Sequence, residues 1–282
     1  MNYKTDNTTN KSPKKDYKKL IADYKKHQAE AMDDLIKRAV ADADAKIAKT
    51  HTNLMAQTKA DLIGKSVAKS KIYNFCNKPK YSTPAVFKLM NTDSVSALFN
   101  LPDDKHIGML NFASFKEPGG KFLDGSSAQE ECLCHASFLY NVLKEFQKSY
   151  YDVNKKTLNK ALYINKALYT PDIEFSLGSE IRFADVINCA APNWTTASKY
   201  YHVSPQENHS ALASRIEFVK NIACDNGLDV IILGAYGCGV FGQDPETIAR
   251  LIYHSFKLSG LTVILAVPGN DTNYQAFKNF FA

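Results

Sequence analysis

The segment Gln129-Glu130-Glu131 sets two carboxyl groups side by side at the start of a stretch with helical periodicity. Adjacent like charges, with any burial, raise at least one carboxyl pKa and can leave it protonated near neutral pH. A protonated carboxyl is what a general acid requires. Acids in a first helical turn also complement the helix dipole, so the pair alone is equally consistent with an ordinary helix start. Ahead of the pair, an apolar run ends at Asn111-Phe112-Ala113-Ser114, and Pro118-Gly119-Gly120-Lys121 makes a turn. Glycines after a strand let the backbone approach a ligand and present N–H groups to phosphate oxygens.

A second stretch has the same grammar. The apolar run Val230-Ile231-Ile232-Leu233 leads into a loop carrying Gly234, Gly237, Cys238, Gly239, Val240 and Phe241, and Asp244-Pro245-Glu246 then starts a helix. A diphosphate is cradled this way at the carboxyl end of an α/β sheet. The helix starts too late for the dinucleotide-binding glycine fingerprint, and no Gly-Lys-Ser/Thr follows for a Walker loop. Phe241 suits stacking on a base or sugar, or plugging the loop from beneath. Cys238 is a poor nucleophile candidate, because no His lies near it in sequence and thiol attack needs a placed base.

The elements that must carry these loops follow from periodicity and punctuation. Strands are expected at Ile107–Phe112, Ala161–Tyr169, Asp185–Ala190, Asp229–Leu233 and Leu261–Val267. Helices are expected at Ala128–Gln147, at Ser210–Asn226 closed by Gly227, and from Asp244, as N-cap before Pro245, to Leu258. Strands alternating with helices predict an α/β fold with a mixed, largely parallel sheet. Residues 1–16 are polar and Lys/Asn/Thr-rich and read as a disordered basic tail. Residues 17–68 read as an N-terminal helical region, and 69–282 as the domain that carries the chemistry. Within the helical region Ile21, Tyr24, Met32, Leu35, Ile36, Ala39, Val40, Ile47 and Leu54 form a thin apolar stripe, expected to pack on the domain or another helix.

Charge is unevenly spread. The 282 residues hold 35 Lys plus Arg and 29 Asp plus Glu, a net of +6, yet residues 1–80 hold 18 of the basic and 9 of the acidic groups. The remainder is left slightly acidic, which disfavours a basic nucleic-acid-binding body and leaves a basic arm on a near-neutral domain. Hydrophobic residues at 45% fit a globular chain. The longest apolar run is far below the roughly 20 residues of a membrane span. Six cysteines without a secreted ladder or signal segment imply reduced thiols and a cytoplasmic setting. Cys132, Cys134 and His135 form a C-x-C-H cluster, but no second cluster supplies the remaining ligands of a zinc site, so no metal and no cofactor is expected.

Taken together, the two loops resemble the macro-domain poly(ADP-ribose) glycohydrolases of the bacterial branch. That family carries a glycine triplet followed by Gln-Glu-Glu, matched here by Gly119-Gly120-Lys121 and Gln129-Glu130-Glu131, and a Gly-x-x-Gly-Cys-Gly-x-Phe loop, matched by Gly234, Gly237, Cys238, Gly239 and Phe241. Tyr169-Thr170-Pro171-Asp172 and Ala190-Ala191-Pro192-Asn193 are also similar. The resemblance covers roughly residues 60–282 and implies a three-layer α/β/α macro domain that cleaves ribose–ribose O-glycosidic bonds in poly(ADP-ribose), releasing ADP-ribose. It implies Glu131 as catalytic acid and base, with Glu130 as the neighbour that holds ribose hydroxyls. Gln129 is implied on the adenosine side, Gly119 and Gly120 beside the scissile ribose, and Gly237 to Phe241 around the diphosphate, with Asn193 also in the site. Two positions depart from the pattern. Lys121 replaces the third glycine, which costs strain if φ is positive there, or adds charge near the diphosphate if it points outward. Ser114 stands where some members have an Asn that contacts ribose. The implied partners are poly(ADP-ribose) or ADP-ribosylated protein, with nucleic-acid-linked ADP-ribose suggested by the basic arm and no membrane partner. Other readings are a macro domain that binds ADP-ribose without cleaving it, a hydrolase of ADP-ribose on protein, nucleic acid or a nucleotide signal, and a domain for some other nucleotide.

Overall fold

A computed structural model describes residues 17–77 and 82–281. The expected tail at 1–16 lies outside the described residues. Seven strands form one sheet: β1 (Lys71–Tyr73), β2 (Val86–Met90), β3 (Ile107–Phe112), β4 (Ala167–Leu177), β5 (Glu180–Cys189), β6 (Val230–Leu233) and β7 (Thr262–Ala266). Their order across the sheet is β1-β4-β5-β3-β6-β7-β2. The pairs β3–β5, β3–β6, β6–β7 and β2–β7 are parallel, and β1–β4 and β4–β5 are antiparallel. The sheet is therefore mixed and largely parallel. Its central strands are buried on both faces, as their continuous apolar runs require.

The helices are α1 (Tyr17–Thr58), α2 (Ala60–Lys69), α3 (Ser94–Phe99), α4 (Gln129–His135), α5 (Leu139–Leu143), α6 (Asp152–Asn154), α7 (Trp194–Tyr201), α8 (Pro205–Asp225), α9 (Pro245–Phe256) and α10 (Thr272–Phe281). One core joins the sheet to Leu212, Ile216 and Val219 of α8, Ile248 and Ile252 of α9, and Phe277 of α10. The other joins the opposite face to Val95 and Leu98 of α3, Leu133 of α4, and Leu139 and Val142 of α5. This is the three-layer α/β/α arrangement. Asp244 caps α9 through Thr247 N–H at 2.8 Å, with Pro245 at the first helical position. Helix α8 starts five residues earlier than its apolar periodicity indicates, because Ser204 and Glu207 form a reciprocal capping box.

Three expectations fail for local reasons. The helix expected over Ala128–Gln147 breaks at Ser137, which bridges to Phe175 of β4. The Ser137 hydroxyl donates to Leu133 O at 2.7 Å and accepts Leu139 N–H at 3.1 Å, ending one helix and starting the next. The strand expected at Ala161–Tyr169 begins only at Ala167. Asn159, Lys160, Ala161 and Tyr163 all have positive φ, so this segment coils instead of extending. The apolar stripe of α1 does not pack. Met32, Leu35, Ile36, Val40, Ile47 and Leu54 are all at least half exposed, and Ala39 is exposed too. The side chains of Ile21 and Tyr24 lie outside the described residues.

The packing face of α1 is made of small residues: Ala41 and Ala45 are partly covered and Ala48 is fully buried. Gly125 lies against them, in the turn between the glycine loop and α4. Its φ is +80°, and a Cβ there would collide with the carbonyl oxygen of Ala41 and come within 3.0 Å of Ala45 N. His51 Nε2 lies 2.8 Å from Ser137 O. Lys59, between α1 and α2, pairs with Glu174 of β4 at 2.6 Å. The helical region thus braces the segment that carries the adjacent acids.

Candidate active site

Three neighbouring strands, β5, β3 and β6, end at the same edge of the sheet, and their carboxyl ends release the loops 190–193, 113–128 and 234–244. The chain leaves β3 toward β5 on one side and β6 on the other, and ligands bind in the crevice at such a switch point.

The first loop folds around its own acids. Gln129 Oε1 accepts Phe112 N–H at 2.8 Å, and its Nε2 donates to Leu110 O at 3.0 Å and Ser94 Oγ at 3.3 Å. The side-chain amide thereby pins the start of α4 to the end of β3. Glu130 is 4% exposed. Its Oε2 accepts Ser114 N–H at 2.7 Å and its Oε1 accepts Asn111 Nδ2–H at 3.2 Å. The Asn111 amide also donates to Asn188 Oδ1 at 2.9 Å, and the Asn188 amide donates to Leu168 O at 2.8 Å and Thr170 Oγ1 at 3.1 Å. Asn111 and Asn188 stand opposite each other in the β3–β5 register. This ladder fixes the Asn111 amide with its donor facing Glu130. Burial pushes the Glu130 carboxyl up to about 8, helped by the neighbouring Glu131. Donors from Ser114, Asn111 and Gly119 oppose the shift. The Tyr150 and Tyr151 rings are buried close by, in a π-turn over Gln147–Tyr151, a form enriched at functional sites.

Glu131 is 6% exposed and is held differently. Its Oε1 accepts Lys121 N–H at 2.9 Å, while its Oε2 has no hydrogen bond among the described residues. Both carboxylates converge over Gly120, where an added Cβ would lie 2.7 Å from Glu131 Oε1 and 2.9 Å from Glu130 Oε2. Gly119 and Gly120 have φ of +67° and +60°, which L side chains rarely adopt. Lys121 has φ of −109°, so lysine replaces the third glycine without strain. Its side chain points out to solvent. Phe122 anchors the turn, fully buried among His51, His135 and Tyr140. The Ser114 hydroxyl accepts Glu117 N–H at 3.1 Å and Lys116 N–H at 3.3 Å, which shapes the loop.

The second loop leaves its donors free. Cys238 N–H bonds to Ala235 O, Gly242 N–H to Gly239 O and Gln243 N–H to Gly237 O. The N–H groups of Gly239, Val240 and Phe241 have no partner among the described residues. Gly237 needs its glycine, since φ is +78° and a Cβ would lie 2.8 Å from Ala191 Cβ, whereas a Cβ on Gly239 meets nothing within 4 Å. Val240 is 87% exposed. Burial pushes the Cys238 thiol up to about 12, with Asp244 and Asp271 adding to it, so the nucleophile reading finds no thiolate there.

Residues that sequence reasoning passed over tie the loops together. Buried Gln243 donates to Pro192 O at 2.7 Å and exchanges hydrogen bonds with Asn208 of α8. Arg215 of α8 is 1% exposed and has no carboxylate partner among the described residues. Its guanidinium donates to Asn165 Oδ1, Leu162 O and Ala190 O, clamping the left-handed segment to the loop after β5. That clamp sets Tyr163 on Phe115, with ring centroids 4.3 Å apart, and 6.2 Å from Phe241. Asn193 caps α7, accepting Thr196 N–H at 3.0 Å. The detectable signal was polarity out of place: Asn111, Asn188 and Arg215 each interrupt an apolar segment. The Cys132-x-Cys134-His135 cluster does not converge, with Cys132 exposed and Cys134 buried on the other side of α4.

The model of the microbial-type PARG catalytic domain matches residues 25–176, more than half of the chain. Poly(ADP-ribose) glycohydrolase (PARG) from Thermomonospora curvata superposes with a TM-score of 0.76 at 24% identity, covering 85% of this chain and 99% of that one, a likeness of fold. The Deinococcus radiodurans enzyme in complex with ADP-ribose gives 0.69 at 25% identity, covering 77% and 96%. The T. curvata enzyme bound to the inhibitor ADP-HPD gives 0.74 at 23%, covering 85% and 100%. No curated protein matches this chain. With two glycine loops at the switch point, buried adjacent glutamates beneath one of them and a family match that covers that first loop and its glutamates, the chain belongs to the microbial-type poly(ADP-ribose) glycohydrolases and is a glycosidase of that class.

Proposed function

We propose that Glu131 is the general acid and base of the hydrolysis and that Glu130 is its fixed neighbour. The carrying observation is the asymmetry between them: both Glu130 oxygens accept protein hydrogen bonds, while Glu131 keeps Oε2 free at the loop surface. Burial raises the Glu130 carboxyl to about 8, so a proton is held beside Glu131 near neutral pH. Glu131 delivers a proton to the 2′-oxygen of the leaving ribose as the C1″–O bond breaks, and the bonding electrons stay on that oxygen. The sugar passes through an oxocarbenium-like state stabilised by nearby negative charge. Water then adds at C1″ and gives its proton to Glu131, which restores the acid.

Glu130 accepts the ribose hydroxyls. The free N–H groups of Gly239, Val240 and Phe241 receive the diphosphate, and the Phe115–Tyr163–Phe241 shelf packs beside the sugar. ADP-ribose bound to the D. radiodurans relative supports this assignment of ligand. Product analysis of the polymer with Glu131→Gln tests the role: the reading requires turnover to collapse while ADP-ribose still raises Tm. The reading as a non-cleaving binder fits less well, because binding alone does not call for a buried pair with one oxygen left free. ADP-ribose carried on nucleic acid is a second substrate reading, favoured by the basic surplus in residues 1–80. A steep fall of activity with salt on that substrate, and not on protein-linked ADP-ribose, is its signature.

A further inference from the structure

Lys121 is the one place where this chain replaces a glycine of the family triplet, and it puts an exposed cationic side chain on the residue whose backbone N–H holds the acid. Its backbone N–H holds Glu131 Oε1 at 2.9 Å, so the side chain springs from the residue that touches the proposed acid. That side chain is exposed and makes no ion pair or hydrogen bond among the described residues. The nearest acid in sequence, Asp124, is also exposed and makes no ion pair with it. The loop gains nothing structural from the lysine side chain: φ is ordinary, and Phe122 supplies the anchor.

The substrate supplies what the lysine lacks. Each unit of the polymer carries a diphosphate, and the strand that departs when the glycosidic bond breaks begins at the 2′-oxygen that Glu131 protonates. The ribose bearing that oxygen also bears the next diphosphate, so the departing strand presents an anion on the side of Glu131 from which Lys121 extends. Residues 81–282 hold 17 basic and 20 acidic groups, so a polyanion meets an unhelpful body and gains from a local cation.

The geometry points to Lys121 as a specificity residue for polymer: its ammonium receives the diphosphate of the departing strand, a subsite separate from the one that holds the terminal ADP-ribose. The inference rests on Glu131 as the acid.

The test compares Lys121→Gln and Lys121→Gly with wild type and with Lys116→Gln. Lys116 is also exposed and unpaired on this loop, but makes no contact with Glu131. On poly(ADP-ribose) at low salt, kcat/KM falls about fivefold in both Lys121 variants, and the slope of log kcat/KM against log salt flattens by a little under one. Lys121→Arg keeps the wild-type value. The Kd for ADP-ribose, which lacks a departing strand, stays the same in all of them. The inference is overturned if Lys121→Gln keeps the wild-type rate and salt slope. Equal loss in Lys116→Gln also overturns it, since the effect is then the general field of the surface. So does a matching loss of ADP-ribose affinity, which places the lysine on the terminal unit. Full turnover by Glu131→Gln, measured with Lys121 intact, removes the premise instead and is read separately.

Discussion

The loop after β3 and the loop after β6 have similar composition and opposite uses of the backbone. In the first, the N–H groups of Ser114 and Lys121 bond to Glu130 and Glu131. In the second, the N–H groups of Gly239, Val240 and Phe241 have no partners among the described residues. One loop directs its donors inward to hold its own anions, and the other leaves them open, the donors proposed above to receive the diphosphate. Glycine serves both ends, for different reasons. At Gly120 it makes room for two carboxylates. At Gly239 nothing crowds the backbone, and a Cβ there would meet no atom within 4 Å. A glycine loop therefore does not define a phosphate site; what its N–H groups already touch decides.

The comparison breaks first at the acids. Glu131→Gln is expected to lower turnover by about 10²–10⁴-fold, the usual contribution of acid–base catalysis. A thermal-shift titration with ADP-ribose should remain close to wild type. The glycines come next. Gly120→Ala forces a Cβ against both carboxylates at positive φ and should lower Tm by several degrees and activity by about 10²-fold. Gly239→Ala should leave Tm unchanged. Equal damage from the two alanines, by calorimetry and initial rates, would erase the distinction between the loops.

The pH dependence sharpens the inward half of the comparison. Glu130 lies above its ordinary range when folded, so the native state binds more protons than the unfolded chain between about pH 4.5 and 8. Its contribution to stability is present at the acid end of that window and is lost as pH rises through about 8. Tm should decline across that interval, and Glu130→Gln should flatten the decline. Asn111→Leu removes a donor that favours the carboxylate, so the ionisation should move up and carry with it the limb on which the rate falls as pH rises. A limb that stays in place while activity falls would reduce Asn111 to packing. The smallest effect belongs to the outward loop: Cys238→Ser should keep kcat/KM within about threefold, because a thiol pushed up to about 12 offers no nucleophile.

Much of this was legible in the residues. Strong, fully apolar strands such as Val230–Leu233 announce themselves, and so does a Pro at the first turn of a helix. The acids and both glycine loops stand in plain view. Three things were not legible. The break at Ser137 comes from a bridge to β4, a contact that helical periodicity does not encode. The positive φ values at Asn159, Lys160, Ala161 and Tyr163 run against the propensity of those residues, in a segment held by Arg215, which bonds Leu162 O from 53 residues away. The face of α1 beside Gly125 is written in alanines, whose small side chains allow close approach, while the larger residues of the expected stripe face solvent. Hydrophobicity ranks these positions in the wrong order, because it measures transfer from water and not the room available beside Gly125.

That contact with Gly125 sets the size of the smallest useful fragment. Compositional change suggests a cut near residue 69, which would keep every strand, both loops and both glutamates. It would also take away Ala41, Ala45 and His51, the wall behind the turn that holds Glu131 through Lys121. Such a fragment would contain both glutamates and lack the backing that keeps Glu131 still. A cut placed upstream of Ala41 preserves that backing, so the amino-terminal limit of the catalytic unit is drawn by a glycine more than 80 residues further along the chain.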